Sequence, residues 1–176
     1  MLTTLQRQAL LNLAREAASR AARGEPHEPG PPPVGLAEPG SAFVTLRVGG
    51  ELRGCIGTFG TLEPLWDTVH EMARAAATRD LRFAPLAARD LAALTVEVSV
   101  LAPARRIRGP AELELGRHGL EIRRGPRRGL LLPQVAADHG LDRESFLAET
   151  CRKAGLPADA WREPESEIWI FEADVF

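Results

Sequence analysis

The sequence contains little sulfur and few metal-binding side chains. Among its 176 residues there are two cysteines, Cys55 and Cys151, and four scattered histidines. Two cysteines cannot build a disulfide framework or a zinc site made of cysteine alone. Four scattered histidines do not make a complete metal constellation either. The sequence therefore predicts no metal site, and it identifies no cofactor.

Lysine and asparagine are almost absent, because Lys153 and Asn12 are the only residues of their types. Arginine, alanine and proline are abundant instead. Genome base composition produces such a bias, and so does adaptation to heat, which removes labile amides. We favour base composition, and neither cause bears on the chemistry of the protein.

The sequence also lacks a strong net charge and a long apolar run. A net charge of −2 gives no whole-molecule field that would attract nucleic acid or an anionic membrane. No run reaches the roughly 18 apolar residues that span a bilayer, and the N-terminus does not resemble a secretory signal. We expect a cytoplasmic protein with no membrane association. Its length predicts a single domain over residues 1–176.

Periodicity predicts helices at both ends of the chain. Residues 3–23 form an amphipathic pattern in which Thr3 and Gln6 make a capping box. One apolar stripe consists of Leu5, Ala9, Leu13, Ala17 and Ala21. A second helix over about residues 62–78 takes Thr61 as its N-cap, and a third covers residues 143–153 after Asp142. Cys151 on this last helix is expected in the core.

A proline-rich strap, residues 24–42, separates the first helix from the first strand. Six prolines lie between Gly24 and Gly40. Because proline removes backbone donors and restricts φ, we expect the strap to cross the surface in extended form, outside the core. His27 in the strap is expected to be solvated, and His70 in the second helix to be partly solvated.

The segment "FVTLRVGGELRGCIG" reads as a hairpin with two alternative registers. A two-residue Gly49-Gly50 turn places Val48 opposite Glu51 and Leu46 opposite Arg53. A three-residue loop places Val48 opposite Leu52, Leu46 opposite Gly54 and Val44 opposite Ile56. We prefer the second, because it makes one face consistently apolar. Cys55 then lies across from Thr45 and beside Arg53.

The remaining elements are mostly short strands, and the fold class is predicted as α+β with a mixed, mostly antiparallel sheet flanked by helices. A central strand is expected in "LAALTVEVSVL" and a final one in "SEIWIFEADVF". Shorter strands are expected at 112–115, 119–123 and 129–132.

Cys55 is the candidate nucleophile. Cations and helix N-termini stabilise thiolates, so Arg53 on the same face would favour the reactive form. The backbone N–H groups that follow, at Gly57 and Thr58, lead into a helix N-terminus and could hold an anionic group. The alternative is that Cys55 packs under a covering helix while the glycines serve a bulge and a turn.

These residues carry a resemblance to a known family. "LRGCIGTF" resembles the signature of the AMMECR domain family, whose prokaryotic members are called AmmeMemoRadiSam system protein A. "DLRFAPL" is similar to a second family motif, with Leu81 in place of proline. Further similar segments follow in the expected order: "VEVSVL", "RHGLEI", "GLLLPQVA" and "FLAETCRKAGLP".

The resemblance implies an α+β fold with a smaller subdomain, but no settled activity. It also implies a shared pathway with a Memo-like protein and a radical S-adenosylmethionine enzyme, which is an associational argument. The family motifs place the candidate site at these positions of this sequence: Arg53, Gly54, Cys55, Gly57, Thr58, Asp80, Arg82, Phe83, His118, Gln134 and Lys153.

Residues that the family motifs place in the candidate site can also be explained by a purely structural role. Asp80 and Arg82 could position a polar substrate, or they could tie down a loop. His118 is the best histidine for a base near Cys55, or it is a turn histidine bonded to backbone. Gln134 fits a helix start, and Lys153 in a last helical turn suits the helix dipole.

Residues 104–129 hold eight arginines against three glutamates and no aromatic residue. The missing aromatics argue against single-stranded nucleic acid, so we read a solvated basic hairpin. Two functions stay open. The first is a ligand-binding cleft for a small anionic molecule, in which Cys55 serves a transferase or hydrolase-like step. The second is a non-catalytic protein-binding or regulatory module.

Overall fold

The computed structural model describes residues 2–176 and has the α+β composition expected from the sequence. Within these residues there are four α-helices and seven β-strands, with short 3₁₀ turns between some of them. In chain order they are α1 (Thr4–Ala22), β1 (Ser41–Val48), β2 (Glu51–Gly57), α2 (Leu65–Thr78), β3 (Leu94–Leu101), β4 (Arg105–Ile107), β5 (His118–Arg124), β6 (Arg127–Leu131), α3 (Pro133–Asp138), α4 (Arg143–Lys153) and β7 (Glu167–Val175).

The chain divides into two compact units. The first unit holds the described residues up to Leu101 together with Asp174–Phe176, and the second holds Ala102–Ala173. Strand β7 begins in the second unit, and its last residues belong to the first. The expectation of one AMMECR-type domain over residues 1–176 stays a prediction.

The first unit is built on an antiparallel sheet in the order β2-β1-β3. One face of this sheet carries Val44, Leu46 and Val98, which pack against α1 and α2. The C-terminal residue extends the sheet, because the backbone of Phe176 exchanges two hydrogen bonds with Val98. The opposite face carries Thr45 and Cys55.

Helix α1 begins as the sequence predicts, with both hydrogen bonds of the Thr3–Gln6 capping box present. Leu13 and Ala17 of the expected stripe are buried, and Ala9 and Ala21 are partly buried against the same core, but Leu5 is 83% exposed. Leu10, Ala14 and Ala18 are buried as well, so the buried face is wider than the expected stripe.

Helix α2 starts three residues later than expected, at Leu65, with Pro64 in place of Thr61 at the N-cap. Leu62 therefore lies in the preceding loop, where it is 88% exposed. The proline-rich strap, rather than a side chain, caps this helix: the backbone N–H groups of Leu65 and Trp66 donate to the carbonyls of Glu38 and Leu36.

The strap also contributes to the core. Leu36 is fully buried in the cluster between α1 and α2, so the expectation that the strap stays outside the core is wrong at this residue. The indole N–H of Trp66 donates to the carbonyls of Pro29 and Gly30. His27 Nδ1 lies 3.1 Å from His70 Nε2. His70 is buried, so its expected partial solvation is wrong, whereas His27 is partly exposed.

The β1–β2 hairpin combines the two registers considered from the sequence. Val44 pairs with Ile56, Thr45 with Cys55 and Leu46 with Gly54, as the preferred register predicts. At the turn, however, Val48 pairs with Glu51 around the two glycines, both of which have positive φ. The register shifts after Leu46, and Arg53 is the extra residue of a β-bulge.

The second unit has its own sheet and core. Strands β4 and β5 flank β7, and β6 pairs with β5, all antiparallel. Helix α4 packs on β5 and β6 and buries Phe146, Leu147 and Cys151, as expected. Asp142 caps α4 by accepting from the Ser145 N–H at 2.7 Å.

One expected strand of this unit is wrong. Residues 112–115 follow a 3₁₀ turn at Pro110–Glu112 and are not a strand, while Arg105–Ile107 pairs with β7 instead. The N–H groups of Glu112 and Leu113 donate to the carbonyls of Gly109 and Pro110 within the turn, so these two donors are not available to a partner strand.

Candidate functional site

Cys55 lies on β2, directly opposite Thr45 of β1. The Thr45 hydroxyl donates a hydrogen bond to Cys55 Sγ at 3.4 Å. The thiol is partly exposed, whereas the hydroxyl that contacts it is on a buried residue. Cys55 is therefore partly exposed, as a nucleophile must be. Its Sγ also has a fixed polar neighbour in the sheet, as expected for a cysteine with a structural role.

The motif "DLRF" holds the main chain of Cys55 from both sides. Asp80 Oδ2 accepts the Cys55 N–H at 2.8 Å, and Arg82 Nη2 donates to the Cys55 carbonyl at 3.1 Å. Asp80 and Arg82 are joined to each other by two side-chain bonds, 2.9 Å from Nε and 2.7 Å from Nη2. We call Asp80, Arg82 and the Cys55 peptide groups the aspartate–arginine clasp.

The clasp keeps Asp80 ionised despite burial. Hydrogen bonds from the Arg82 side chain, and then from the Cys55 N–H, lower the pKa of Asp80 from 3.8 to about 2. The same pairing with Asp80 raises the pKa of Arg82, and Cys55 adds a smaller contribution in the same direction. Arg82 is thus the cation bonded to Cys55, through the main-chain carbonyl at 3.1 Å.

The side chain of Arg53 pairs with a carboxylate of a neighbouring turn. Arg53 occupies the bulge, and its Nη2 lies 3.8 Å from Asp90 Oδ2, in the 3₁₀ turn at Ala88–Ala93. Asp90 in turn accepts the Ala87 N–H at 2.9 Å. A bulge redirects the side chains of its strand, so Arg53 anchors a neighbouring loop.

Two glycines of the motif are required by packing. A Cβ at Gly54 would overlap the carbonyl oxygen of Ala76, since α2 crosses this strand closely. A Cβ at Gly57 would overlap the ring of Phe43, its cross-strand partner. Both glycines allow the close approach of another part of the protein, and the contacts observed there are with protein groups.

The backbone donors after Cys55 are already used within the first unit. The Thr58 N–H donates to the Ala42 carbonyl at 3.1 Å, and the Gly60 N–H donates to Ser41 Oγ at 2.9 Å. Of the two donors that the sequence suggested for an anion, Gly57 and Thr58, the Thr58 N–H is therefore already bonded within the protein. The side chain of Arg82, which is 58% exposed, is a charged donor next to Cys55.

The other three candidates lie in the second unit. His118 is buried, and its Nδ1 accepts the Glu114 N–H at 3.1 Å, so neutral imidazole carries its proton on Nε2. That tautomer has no free lone pair for proton abstraction. Gln134 begins α3 as expected, and its Oε1 is buried without a hydrogen-bond partner among residues 2–176. Lys153 is the exposed last residue of α4.

Sequence reasoning missed Asp90 and the carbonyl of Ala76 as partners of the motif. Neither belongs to a recognisable signature, because their roles depend on where a turn and a helix pass over β2. Among residues 2–176, no three His, Cys, Asp or Glu side chains group closely enough to hold a metal ion. No helix in the same range is long and apolar enough to cross a membrane.

A family model described as AMMECR1 matches residues 11–176 of the chain. The chain belongs to the AMMECR1 family. It is 43% identical to a Methanopyrus kandleri protein, MK0488, over 99% of this chain and 89% of that protein. It is 41% identical to a Thermococcus kodakarensis protein, TK0174, over 95% of this chain and 87% of the relative.

The fold of this AMMECR1 protein is shared with a solved structure. The crystal structure of an uncharacterized protein from Pyrococcus horikoshii, PH0010, matches it with a TM-score of 0.91 at 38% identity. The match covers 99% of this chain and 92% of that one. Membership of the family and the fold are therefore established, while none of these names states an activity.

Proposed function

We propose that the "LRGCIGTF" strand and loop form a ligand-binding site for a small anionic molecule, with Cys55 as its reactive group. The observation that supports this function is a partly exposed Cys55 whose Sγ accepts a hydrogen bond from the Thr45 hydroxyl and whose main-chain carbonyl accepts one from the Arg82 guanidinium. A hydroxyl donor and a cation both favour a thiolate over a thiol. Arg82 is 58% exposed as a side chain, so it can also meet an anion from solvent.

In a transferase or hydrolase-like reaction, the Cys55 thiolate attacks an electrophilic carbon of the ligand. The leaving group departs with its electron pair, and the group held on sulfur then passes to an acceptor or to water. The site holds Cys55 rigidly for this step, because the aspartate–arginine clasp bonds both its N–H and its carbonyl. His118, Gln134 and Lys153, all three in the second unit, stay candidates for additional roles.

The first experiment measures the pH dependence of alkylation at Cys55 in a Cys151→Ala background. We expect rapid alkylation at pH 7 and below, since a free thiol with a pKa of about 8.5 would react slowly there. Changing Arg82 to Gln should slow the reaction at pH 6.5 by about 10-fold, the order expected for loss of one charge contact.

Arg53→Gln is the matched control, because Arg53 has the same charge but contacts Asp90 instead. We expect this variant to alkylate at nearly the parent rate. If Cys55 in the folded protein resists alkylation at every pH up to 9, the nucleophile role is wrong. If Arg82→Gln and Arg53→Gln slow alkylation equally, the effect comes from the overall positive charge and not from the position of Arg82.

Exposed apolar side chains favour a second function, a non-catalytic binding module. Leu81, between the two clasp residues, is fully exposed, and Leu62 in the loop before α2 is 88% exposed. Exposed apolar residues mark a protein-binding surface where they form a contiguous patch, which is what the second function requires of Leu62 and Leu81. The candidate partners are the Memo-like and radical S-adenosylmethionine proteins of the same organism. Loss of their binding in Leu62→Ser with Leu81→Ser, with normal Cys55 alkylation, would support this function over catalysis.

A further inference from the structure

A surface cavity in the second unit lies outside the Cys55 site and has no role in the function proposed above. It has a volume of about 590 Å³ and lies beside the short edge strand β4 and the 3₁₀ turn at Ala160–Arg162. Its polar lining includes Arg106, Arg108, Arg162 and Ser166, and Trp161 supplies an aromatic wall. We call this cavity the arginine groove.

The arginine groove carries an excess of positive charge that a neighbouring cavity of the same unit does not. It contains three arginines and one carboxylate, that of Glu163, which is already paired with Arg124 at 2.6 Å. A neighbouring cavity of about 400 Å³ balances Arg123 and Arg128 against Glu165 and Glu167. The arginine-rich composition of this part of the chain therefore does not by itself explain the excess of positive charge in the arginine groove.

The guanidinium groups of the arginine groove retain free donor capacity. Arg108 forms no ion pair within 4.0 Å among the described residues. Arg106 and Arg162 are each held by one exposed carboxylate, Glu167 at 2.9 Å and Glu144 at 2.8 Å. Exposed ion pairs of this kind contribute little to the free energy of folding, and a guanidinium has five N–H donors. A multiply charged anion can therefore bind these arginines without a large loss of stabilising interactions.

Two further features are suited to a ligand. Ser166 Oγ is buried and has no hydrogen-bond partner in the part of the chain that the structure describes. Arg162 stacks over the Trp161 ring, with 4.4 Å between its guanidinium carbon and the ring centroid. This contact orients the guanidinium plane, and planar guanidinium groups recognise phosphate oxygens in a bidentate manner.

We propose that the arginine groove binds the phosphate group of a small organic phosphate. The three guanidinium groups contact the phosphate oxygens, and the ring of Trp161 borders the organic part of the ligand. This site is separate from the Cys55 site in sequence and in chemistry, so it stands if the Cys55 function fails.

The test is calorimetric titration of the full chain with pyrophosphate and with AMP. We expect binding with a Kd below 1 mM for at least one of them, weakened at least 10-fold in Arg108→Gln and in Arg162→Gln. The matched control is Arg89→Gln, which removes an exposed arginine of the first unit and should leave the Kd unchanged. Circular dichroism checks that each variant is folded.

Four results would overturn the proposal. The first is no heat of binding with either phosphate up to 10 mM. The second is equal weakening in Arg89→Gln, which would show attraction to overall charge rather than to the groove. The third is binding of a short single-stranded RNA with no binding of pyrophosphate or AMP, which would assign the groove to a nucleic acid backbone. Parent-like affinity in a folded Arg108→Gln, Arg162→Gln double variant would also exclude this groove.

Discussion

Gly54 has the strictest steric requirement of the motif around Cys55. The helix α2 backbone at Ala76 lies where a side chain at residue 54 would begin. Its neighbour Cys55 points to the other sheet face, so the spacing of glycine and cysteine places close packing on one face and the thiol on the opposite face. Glycine at residue 54 therefore permits α2 to cover β2, the strand that carries the Cys55 thiol.

Gly54→Ala should destabilise the first unit by about 1–3 kcal/mol, because a Cβ forces α2 away from the sheet. The measurement is the midpoint of urea unfolding compared with the parent protein. Gly109→Ala is the control, since it has extended backbone and nothing within 4 Å of its Cβ position. A Gly54→Ala midpoint equal to that of Gly109→Ala would contradict the close contact with Ala76.

Asp80 is the residue whose ionisation should matter most for stability in acid. Its pKa is lowered from 3.8 to about 2 in the folded protein, so as the pH falls the unfolded state is protonated before the folded state. The stabilisation is fully present above about pH 4 and is lost as the pH falls towards 2. It amounts to roughly 2 kcal/mol at neutral pH.

Asp80→Asn should therefore lower the free energy of unfolding by about 2 kcal/mol at pH 7, and the deficit should shrink as the pH falls from 4 to 2. Urea unfolding of both proteins across this range measures the difference. Asp138→Asn, in α3, provides the control for removal of one carboxylate. A deficit that does not change with pH would mean that the Asp80 charge is not what stabilises the clasp.

At the scale of elements, the proline-rich strap is part of the first unit's structure. It caps α2 with two carbonyls, buries Leu36 and accepts from the Trp66 indole. The imidazole pair of His27 and His70 adds a contact that requires at least one neutral ring. Burial, followed by the charges of His27 and Arg74, lowers the pKa of His70, while Glu71 acts in the opposite direction.

His27→Ala should destabilise the protein by about 1 kcal/mol at pH 7.5, the usual value of one hydrogen bond. Because the folded pKa of His70 is depressed below 6.5, this contribution is present above pH 6.5 and is lost as the pH falls. The difference from the parent in urea unfolding should thus decrease as the pH falls through the lowered pKa of His70. Glu28→Ala, an exposed neighbour in the strap, should show no such trend; a constant difference for His27→Ala would exclude the pair as its source.

At the scale of the whole molecule, the two cysteines report on different units. Cys55 is partly exposed in the first unit, whereas Cys151 is fully buried in the core of the second. Desolvation raises the pKa of Cys151, which makes its thiolate rarer still. Each thiol can therefore be followed separately by mass spectrometry of the labelled peptides.

We expect excess alkylating reagent at pH 8 to modify one cysteine per native chain, Cys55, within minutes. Cys151 should react only in urea concentrations that unfold the second unit, because its modification requires opening of the core around Phe146 and Leu147. Reaction of Cys151 in buffer at a rate similar to that of Cys55 would contradict this packing.

Local patterns allowed correct prediction of several elements. The Thr3–Gln6 box, the Asp142 cap of α4 and the buried Cys151 all follow from residues within one or two helical turns. The hairpin was predictable up to its bulge, since alternation identifies a face but two registers differ only by one inserted residue. Helix α2 began late because its N-terminus is capped by backbone from the strap, which leaves no local side-chain signal.

By itself, the sequence determined the α+β class, the major helices, the pairing of Cys55 with Thr45 and membership of the family, because each depends on local periodicity or on a contiguous motif. The tertiary structure decided which groups surround the thiol. Asp80 and Arg82 meet Cys55 across 25 or more residues of chain, while Arg53, only two residues away, turns to Asp90. Contacts of this range depend on how a helix, a bulge and a loop pack together, and sequence spacing alone carries no record of that arrangement.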